Sequence, residues 1–423
     1  MRSSARLFVV ALVLVAAACT GSDSNEGWSA APREVRIGLL SPQSGPSKDA
    51  GIAALRGAQL AAAIVNGGEG SATQDGGPVG LSQFNGIKLT IVPGDTRSEA
   101  EQGSLQAARL VGRERVVGLV GAYDTEVTEV ASQRSERLGV PFVNGDASAN
   151  YLTERGLDWF FRVGPTDRMF GEALLSTLTQ LGGADARKIA ILATNTRASS
   201  VVATLTNDLA DEGGYQVVDS VKVDLSNGDP AASVQALAVH QPDAVFLIAS
   251  VPGDAERMLK AFEQVRYTPP GMFAFGAGLF EPTVLLAAGR DAEGLFSSTA
   301  WSREVAARNT SAKRIMDLYE ERFGTAMTEV AAGSFTAVLT LAKAVQDAGS
   351  VQPEPVRTAL LNVSISGRDT IMPWEGVRFD ATHQNTAAAG VVEQLVDGSF
   401  RAVFPRELVQ LSPVWPLSRA PER

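Results

Sequence analysis

A single cysteine among 423 residues excludes an intramolecular disulfide and any metal site built from several thiolates. Two histidines, His240 and His383, leave little for imidazole ligands or acid–base chemistry. His240 is expected at a helix end as a capping cation, and His383 on the surface in a polar turn. No basic run is present, and the net charge is −10, which argues against nucleic acid or anionic lipid surfaces as partners. No apolar run reaches the ~20 residues that a spanning helix needs. The chain has no G-x-S-x-G elbow, no GxxxxGK[ST] loop and no H-E-x-x-H pair. The one dinucleotide-like fragment, GAGLFE at 276–281, lacks the third glycine. Neither catalysis nor a metal or cofactor is therefore expected.

What is present is globular in character, with 45% hydrophobic and 20% charged residues. The length suggests about two or three domains. Arg2 and Arg6 precede an apolar run from Leu7 to Ala17, then Ala18 and Cys19. This reads as a secretory signal peptide over 1–18. The polar stretch 19–33 reads as a flexible tether. Beyond it, strand and helix patterns alternate. Strands are expected at 34–40, 87–92, 116–120 and 141–143, with helices between them. The pattern recurs from Lys188 to Phe275, and two such runs argue for two parallel sheets covered by helices. Ser98 is expected as a helix N-cap with Glu101 at the capping-box position. The segment 67–86 carries seven glycines in 20 residues without periodicity and reads as an insertion away from any ligand.

The loops after the strands carry the recognisable chemistry. They are 41–46 (SPQSGP, with Ser44), 121–125 (GAYDT) and 144–149 (NGDASA). Gly- and Ser-rich turns at strand C-termini, two of them leading into helices, offer free backbone N–H groups and helix dipoles to a small polar or anionic ligand.

The opening VRIGLLSPQSGP at 35–46, with LTIVPGD at 89–95, VGLVG at 117–121, GVPFV at 139–143 and WFFRVGP at 159–165, resembles type I periplasmic binding proteins. More narrowly, it resembles the leucine/isoleucine/valine-binding receptors of ABC importers. The resemblance implies two Rossmann-like α/β lobes with parallel sheets, joined by a three-strand hinge. Lobe one would be 34–163 plus 301–388, lobe two 164–300 plus 389–411, and 412–423 a tail. It implies a monomeric, extracytoplasmic receptor that is not an enzyme and delivers a solute to a permease and its ATPase. Separately, the N-terminal segment with Ala16, Ala17 and Ala18 before Cys19 resembles a bacterial lipoprotein signal, which implies that Cys19 carries lipid and anchors the chain to the outer face of the cytoplasmic membrane.

Carried over from that family, the ligand carboxylate would lie against Gly121, Ala122 and Tyr123 and against Asp146, Ala147 and Ser148. Ser148 matches a hydroxyl position, whereas Ala122 stands where amino-acid receptors carry serine or threonine. Ala277 occupies the place of the lobe-two acid that meets an α-ammonium. Ser250 or Ala198 replaces the covering aromatic. Asp146 is then the candidate replacement counter-ion, with a local turn-forming role as the equal alternative. The solute implied is an amino acid or a related small polar molecule. An amide, a urea or a small carboxylate, or a sensing role without transport, stands as the alternative.

Lipidation at Cys19 is testable directly. The native N-terminus should begin at an acylated Cys19 by mass spectrometry, and Cys19→Ala should abolish detergent partitioning. An unmodified cysteine would contradict the lipid anchor.

Overall fold

The apolar run at 35–41 forms β1 (Val35–Ser41), buried along nearly its whole length, as a strand covered by helices on both faces must be. This is seen in a computed structural model that describes residues 34–67, 80–85, 87–226, 229–249, 252–275, 289–409 and 411–417. The expectations for 1–33 with Cys19, for most of 67–86, and for Ser250 and Ala277 lie outside the described residues. After β1 come α1 (Lys48–Val65), β2 (Leu89–Asp95), α2 (Ala100–Gly112), β3 (Gly118–Gly121) and α3 (Thr125–Leu138). Then follow β4 (Phe142–Asn144), the single turn α4 (Tyr151–Glu154) and β5 (Phe160–Arg162). The five strands are parallel, in the order β2-β1-β3-β4-β5.

A second sheet repeats this plan. It follows α5 (Asp167–Gly182) and uses β6 (Lys188–Thr194), α6 (Arg197–Glu212), β7 (Gln216–Val223) and α7 (Pro230–Ala238). It continues with β8 (Ala244–Ile248), α8 (Pro252–Val265), β9 (Met272–Phe275) and β10 (Phe296–Thr299). Its parallel part runs β7-β6-β8-β9-β10, so the relative strand order is the same in both sheets. The order reverses between β1 and β3 in one sheet and between β6 and β8 in the other. Open α/β sheets bind ligands at such points, beyond the strand C-termini.

The chain then returns to the first sheet. After α9 (Arg303–Ala306) and α10 (Thr310–Phe323), α11 (Glu329–Ala348) packs on α1, β3 and β4. Next come α12 (Pro353–Leu361) and the small ribbon of β11 (Ser364–Ser366) and β12 (Gly376–Arg378). Finally β13 (Val391–Val396) and β14 (Ser399–Phe404) add antiparallel strands to the β10 edge. Three segments thus pass between the sheets, at 163–166, 300–302 and 386–390, which is the two-lobed α/β architecture expected from the sequence.

Each lobe has its own core. Leu40, Leu119, Phe142 and Phe160 are buried on one face of the first sheet. Val245, Leu247, Phe262 and Met272 are buried on one face of the second. Each such side chain contributes about 1.5–3 kcal/mol through burial.

Two local expectations are corrected. Glu99, not Ser98, is the N-cap of α2, and no side chain caps that helix. A tight turn closed by Glu99 N–H on the Thr96 carbonyl, 2.8 Å, puts Ser98 at positive φ and directs it to the Ser47 amide instead. His383 is buried, not on the surface. Its ring stacks on Phe161 at 4.4 Å, and Nδ1 lies 3.1 Å from the Phe160 carbonyl.

Helix α1 approaches α11 closely. A Cβ at Gly57 would lie 2.1 Å from the Ala331 carbonyl oxygen, which is backbone and has no way to rotate aside. Gly57→Ala should therefore cost about 1–3 kcal/mol as overpacking, read as a lower urea midpoint. An unchanged midpoint would mean that this contact is looser than described.

Candidate functional site

Strand register collects the expected loops along one edge. Ser41 lies beside Asp95, and Leu40 beside Gly121, at the C-terminal ends of β1, β2 and β3. Asn144 lies beside Arg162 at the ends of β4 and β5.

Asp95 organises the first loop. It accepts from the Ser44 hydroxyl at 2.6 Å and from the backbone amides of Gln43, Ser44 and Arg97 at 2.9, 3.2 and 3.0 Å. Burial alone would raise its pKa. The Ser44 hydroxyl and the three amides outweigh this and hold the carboxyl below its ordinary value. The Ser44 hydroxyl proton is thus committed to Asp95, so Ser44 shapes the loop.

Gly121 has a positive φ of 117°, and a Cβ there would stand 2.2 Å from the Leu40 carbonyl oxygen. Only glycine fits. Asn144 Nδ2 donates to the Gly121 and Ala122 carbonyls at 2.9 and 3.3 Å, and the Thr128 hydroxyl to the Ala122 carbonyl at 2.8 Å. Ala122 itself is buried and brings only backbone to the edge, while Tyr123 is half-buried beside it. Asp124 caps α3 by accepting from the Val127 amide at 3.1 Å.

In the loop after β4, Asp146 is half-buried and makes no hydrogen bond or ion pair among the described residues. Its Oδ1 packs where a Cβ of Gly333 on α11 would come within 2.8 Å. Burial, and then the charge of Glu329, push its pKa well above the carboxylate range. Ala147 is buried, with its carbonyl turned to Arg162. Ser148 faces the start of α5. Its carbonyl accepts from the Asp167 amide at 2.8 Å, and Asn150 Oδ1 accepts from the Arg168 amide at 3.1 Å. Burial raises the pKa of Asp167, while a hydrogen bond from Ser148 and the charge of Arg162 oppose the rise.

Arg162 holds this loop from beneath. It is fully buried and donates to the Ala147 and Ala149 carbonyls at 3.2 and 2.7 Å, to Thr153 Oγ1 at 3.1 Å and to Gln384 Oε1 at 2.6 Å. Burial lowers its pKa to about 10, with Asp167 and Glu154 opposing, so it stays charged at neutral pH.

At the corresponding edge of the second sheet, Thr196 caps α6 by accepting from the Ser199 amide at 3.1 Å. The Thr194 and Ser199 hydroxyls lie 2.7 Å apart. Ala198 is exposed at this helix start. The second crossing is held by Glu329, which accepts from the Thr299 hydroxyl at 2.8 Å and the Ala300 amide at 2.7 Å. Glu393 on β13 is pushed up to about 7, first by burial, against a hydrogen bond from Ser302, with Glu329 and Glu304 adding to the rise.

The structure therefore places Ser44, Gly121, Ala122, Tyr123, Asp146, Ala147 and Ser148 along one sheet edge. Sequence reasoning missed Asp95, Arg162, Asn144 and Glu329. An arginine ending the buried strand FFR at 160–162 is the signal for Arg162, since a charge there must find acceptors.

Removing the Ser44 hydroxyl takes one charge-assisted bond from Asp95. Because both groups are only partly buried, Ser44→Ala should lose about 0.5–1.5 kcal/mol at pH 7. A depressed carboxyl pKa contributes stability above its unfolded value and loses it as pH falls through the folded one. The difference between Ser44→Ala and the parent should therefore shrink towards acid in urea titrations at pH 7 and below pH 4. A gap that is constant with pH would contradict the Asp95 assignment.

Residues 34–399 match the model of a periplasmic binding protein family. The Leu/Ile/Val-binding protein homolog 7 of Brucella abortus (strain 2308) is 25% identical over 390 residues, covering 90% of this chain and 93% of the relative. An ABC transporter substrate-binding protein of Desulfitobacterium hafniense in complex with Leu superimposes with a TM-score of 0.71 at 20% identity, over 88% of this chain and 100% of that one. A solute-binding protein of an ABC transporter from R. palustris in complex with benzoate does so with a TM-score of 0.66 at 18% identity, over 88% and 95%. With the family model spanning most of its length and the paired sheets repeating one strand order, the chain belongs to the periplasmic binding protein family.

Proposed function

We propose that this chain is the exported solute-binding lipoprotein of an ABC importer, holding an amino acid or a related small polar solute between its lobes. In this reading the lobes are 34–163 plus 301–388 and 164–300 plus 389–411, and 412–423 is a tail. Cys19 carries the lipid that anchors the chain outside the cytoplasmic membrane. The protein acts as a monomer and hands its solute to a permease coupled to an ATPase. No bond is made or broken in the solute.

The observation that supports this reading best is Asp146. An acid that is half-buried, without a cation among the described residues and close to a second acid, Glu329, is costly to ionise unless a donor or cation arrives. A solute ammonium facing Asp146 would meet that need. The neighbouring loops offer hydrogen bonds through the backbone at 121–123 and, as an acceptor, through the Ser148 hydroxyl, whose own proton goes to Asp167. Ser250 and Ala277 belong to the same reading from lobe two, as positions where neither an aromatic nor an acid is available. The second reading is a small carboxylate, amide or urea, favoured by the benzoate bound to the R. palustris relative. A sensing lipoprotein on the same fold is distinguished by its gene neighbours, since import requires permease and ATPase genes.

The test uses protein stripped by denaturation and refolding, then a thermal-shift screen over amino acids, amides, ureas and small carboxylates. A solute at 100 times its Kd should add about 2.7 kcal/mol of stability. For an ammonium-bearing solute, Asp146→Asn should weaken binding by about 2–5 kcal/mol, and Ser148→Ala by about 0.5–1.5 kcal/mol. Equal binding by the parent and Asp146→Asn would remove the counter-ion role and favour the neutral or anionic solutes.

A further inference from the structure

Arg162 reaches beyond the loop it supports. Its Nε donates to Gln384, and Gln384 Nε2 in turn donates to the carbonyls of Gly164 and Asn385, both at 3.0 Å. Asn385 Nδ2 donates to the carbonyls of Val163 and Gly376, both at 2.9 Å, while its Oδ1 accepts from the amides of Arg378 and Ala387 at 2.9 and 3.0 Å. The backbones join as well. Arg162 N–H donates to the His383 carbonyl at 3.0 Å, and Asn385 N–H to the Arg162 carbonyl at 2.9 Å. Residues 163–164 begin the first crossing between the sheets, and 385–387 lead into the third. All three side chains are buried to 6% exposure or less.

We propose that Arg162, Gln384 and Asn385 are positioning residues that couple the loop 147–149 to the first and third crossings, so that loop and hinge move as one unit. The physical ground is that a buried guanidinium and two buried amides must keep their partners. A loop that shifts away from Arg162 strips acceptors from a buried charge, and a crossing that shifts away from Gln384 does the same from the other end. Neither end therefore moves alone at low cost. The α5 start adds a second tie, because the Asp167 and Arg168 amides donate to Ser148 and Asn150 of that same loop. The coupling itself is independent of any solute. It rests on the solute-binding reading only for its purpose, which is to transmit occupancy of the loop to the hinge.

The experiment is hydrogen exchange on solute-free protein, read by mass spectrometry over peptides covering 145–152, 160–168 and 380–390. Thr153→Val removes one Arg162 acceptor and touches neither crossing. Coupling predicts exchange faster by about tenfold in all three peptides. A merely local role predicts faster exchange around 145–153 alone, and that result would overturn the proposal. Should Thr153→Val fail to fold, Gln384→Glu reads the same link in reverse. It keeps an acceptor for Arg162 and removes the donors to Gly164 and Asn385. Faster exchange at 145–152 in that variant supports coupling, and unchanged exchange there refutes it. Because no solute is present, a failed solute screen would leave this result standing, and uncoupled exchange would leave solute binding standing.

Discussion

Arg162 is a buried positive charge without a direct ion pair among the described residues, and the first lobe's loops are built around it. Arg162 is fully enclosed, and the hydrogen bonds it donates go to neutral oxygens. Leaving one donor empty costs on the order of 1–3 kcal/mol or more for a charged group. The Ala147 and Ala149 carbonyls, the Thr153 hydroxyl and the Gln384 amide are thereby fixed within hydrogen-bond reach of one planar fork. The loop that carries Asp146 and Ser148 takes its shape from this demand, as does the path of the chain through 383–385.

Around that constraint the repeated strand order does the coarse placement. Each sheet reverses direction of growth beside its first strand, so each opens a crevice at its C-terminal edge. The first sheet fills its edge with side chains engaged in shaping loops: Ser44 on Asp95, Asn144 on the 121–122 carbonyls, Arg162 on 147–149. Asp146 makes no hydrogen bond or ion pair among the described residues, and the buried Ser41 Oγ, Gln43 Nε2 and Thr96 Oγ1 at the same edge likewise lack a partner there. At the crossings the charges are again acidic, with Glu329 and Glu304 near Glu393. There, hydroxyl, backbone and guanidinium donors offset them, from Thr299 and Ala300 on Glu329 and from Ala402 and Arg401 on Glu304.

The strands were legible because burial on both faces leaves continuous apolar runs, such as VRIGLLS at 35–41 and the all-buried AVFLI at 244–248. The site loops were legible because turn residues follow those runs. Long-range pairing was not. Ser44 and Asp95 are 51 positions apart, and Arg162 and Gln384 are 222 apart. Nothing local marks either partner. His383 misled for the same reason: its polar neighbours describe a turn, while the bridge between Arg162 and Gln384 draws it onto Phe161. Ser98 has the composition of an N-cap, but the tertiary turn at 96–99 takes it out of that position. The identity of the solute was not legible, because at Ala122 and Ala277 the resemblance points to positions that carry no distinguishing side chain.

Binding between two lobes on a three-segment hinge has one direct physical signature, a change of overall dimensions on occupancy. Small-angle scattering on refolded protein, with and without the solute identified in the thermal screen, measures it. The radius of gyration should fall when the solute is added at a saturating concentration. An unchanged radius at full occupancy would contradict closure around the solute.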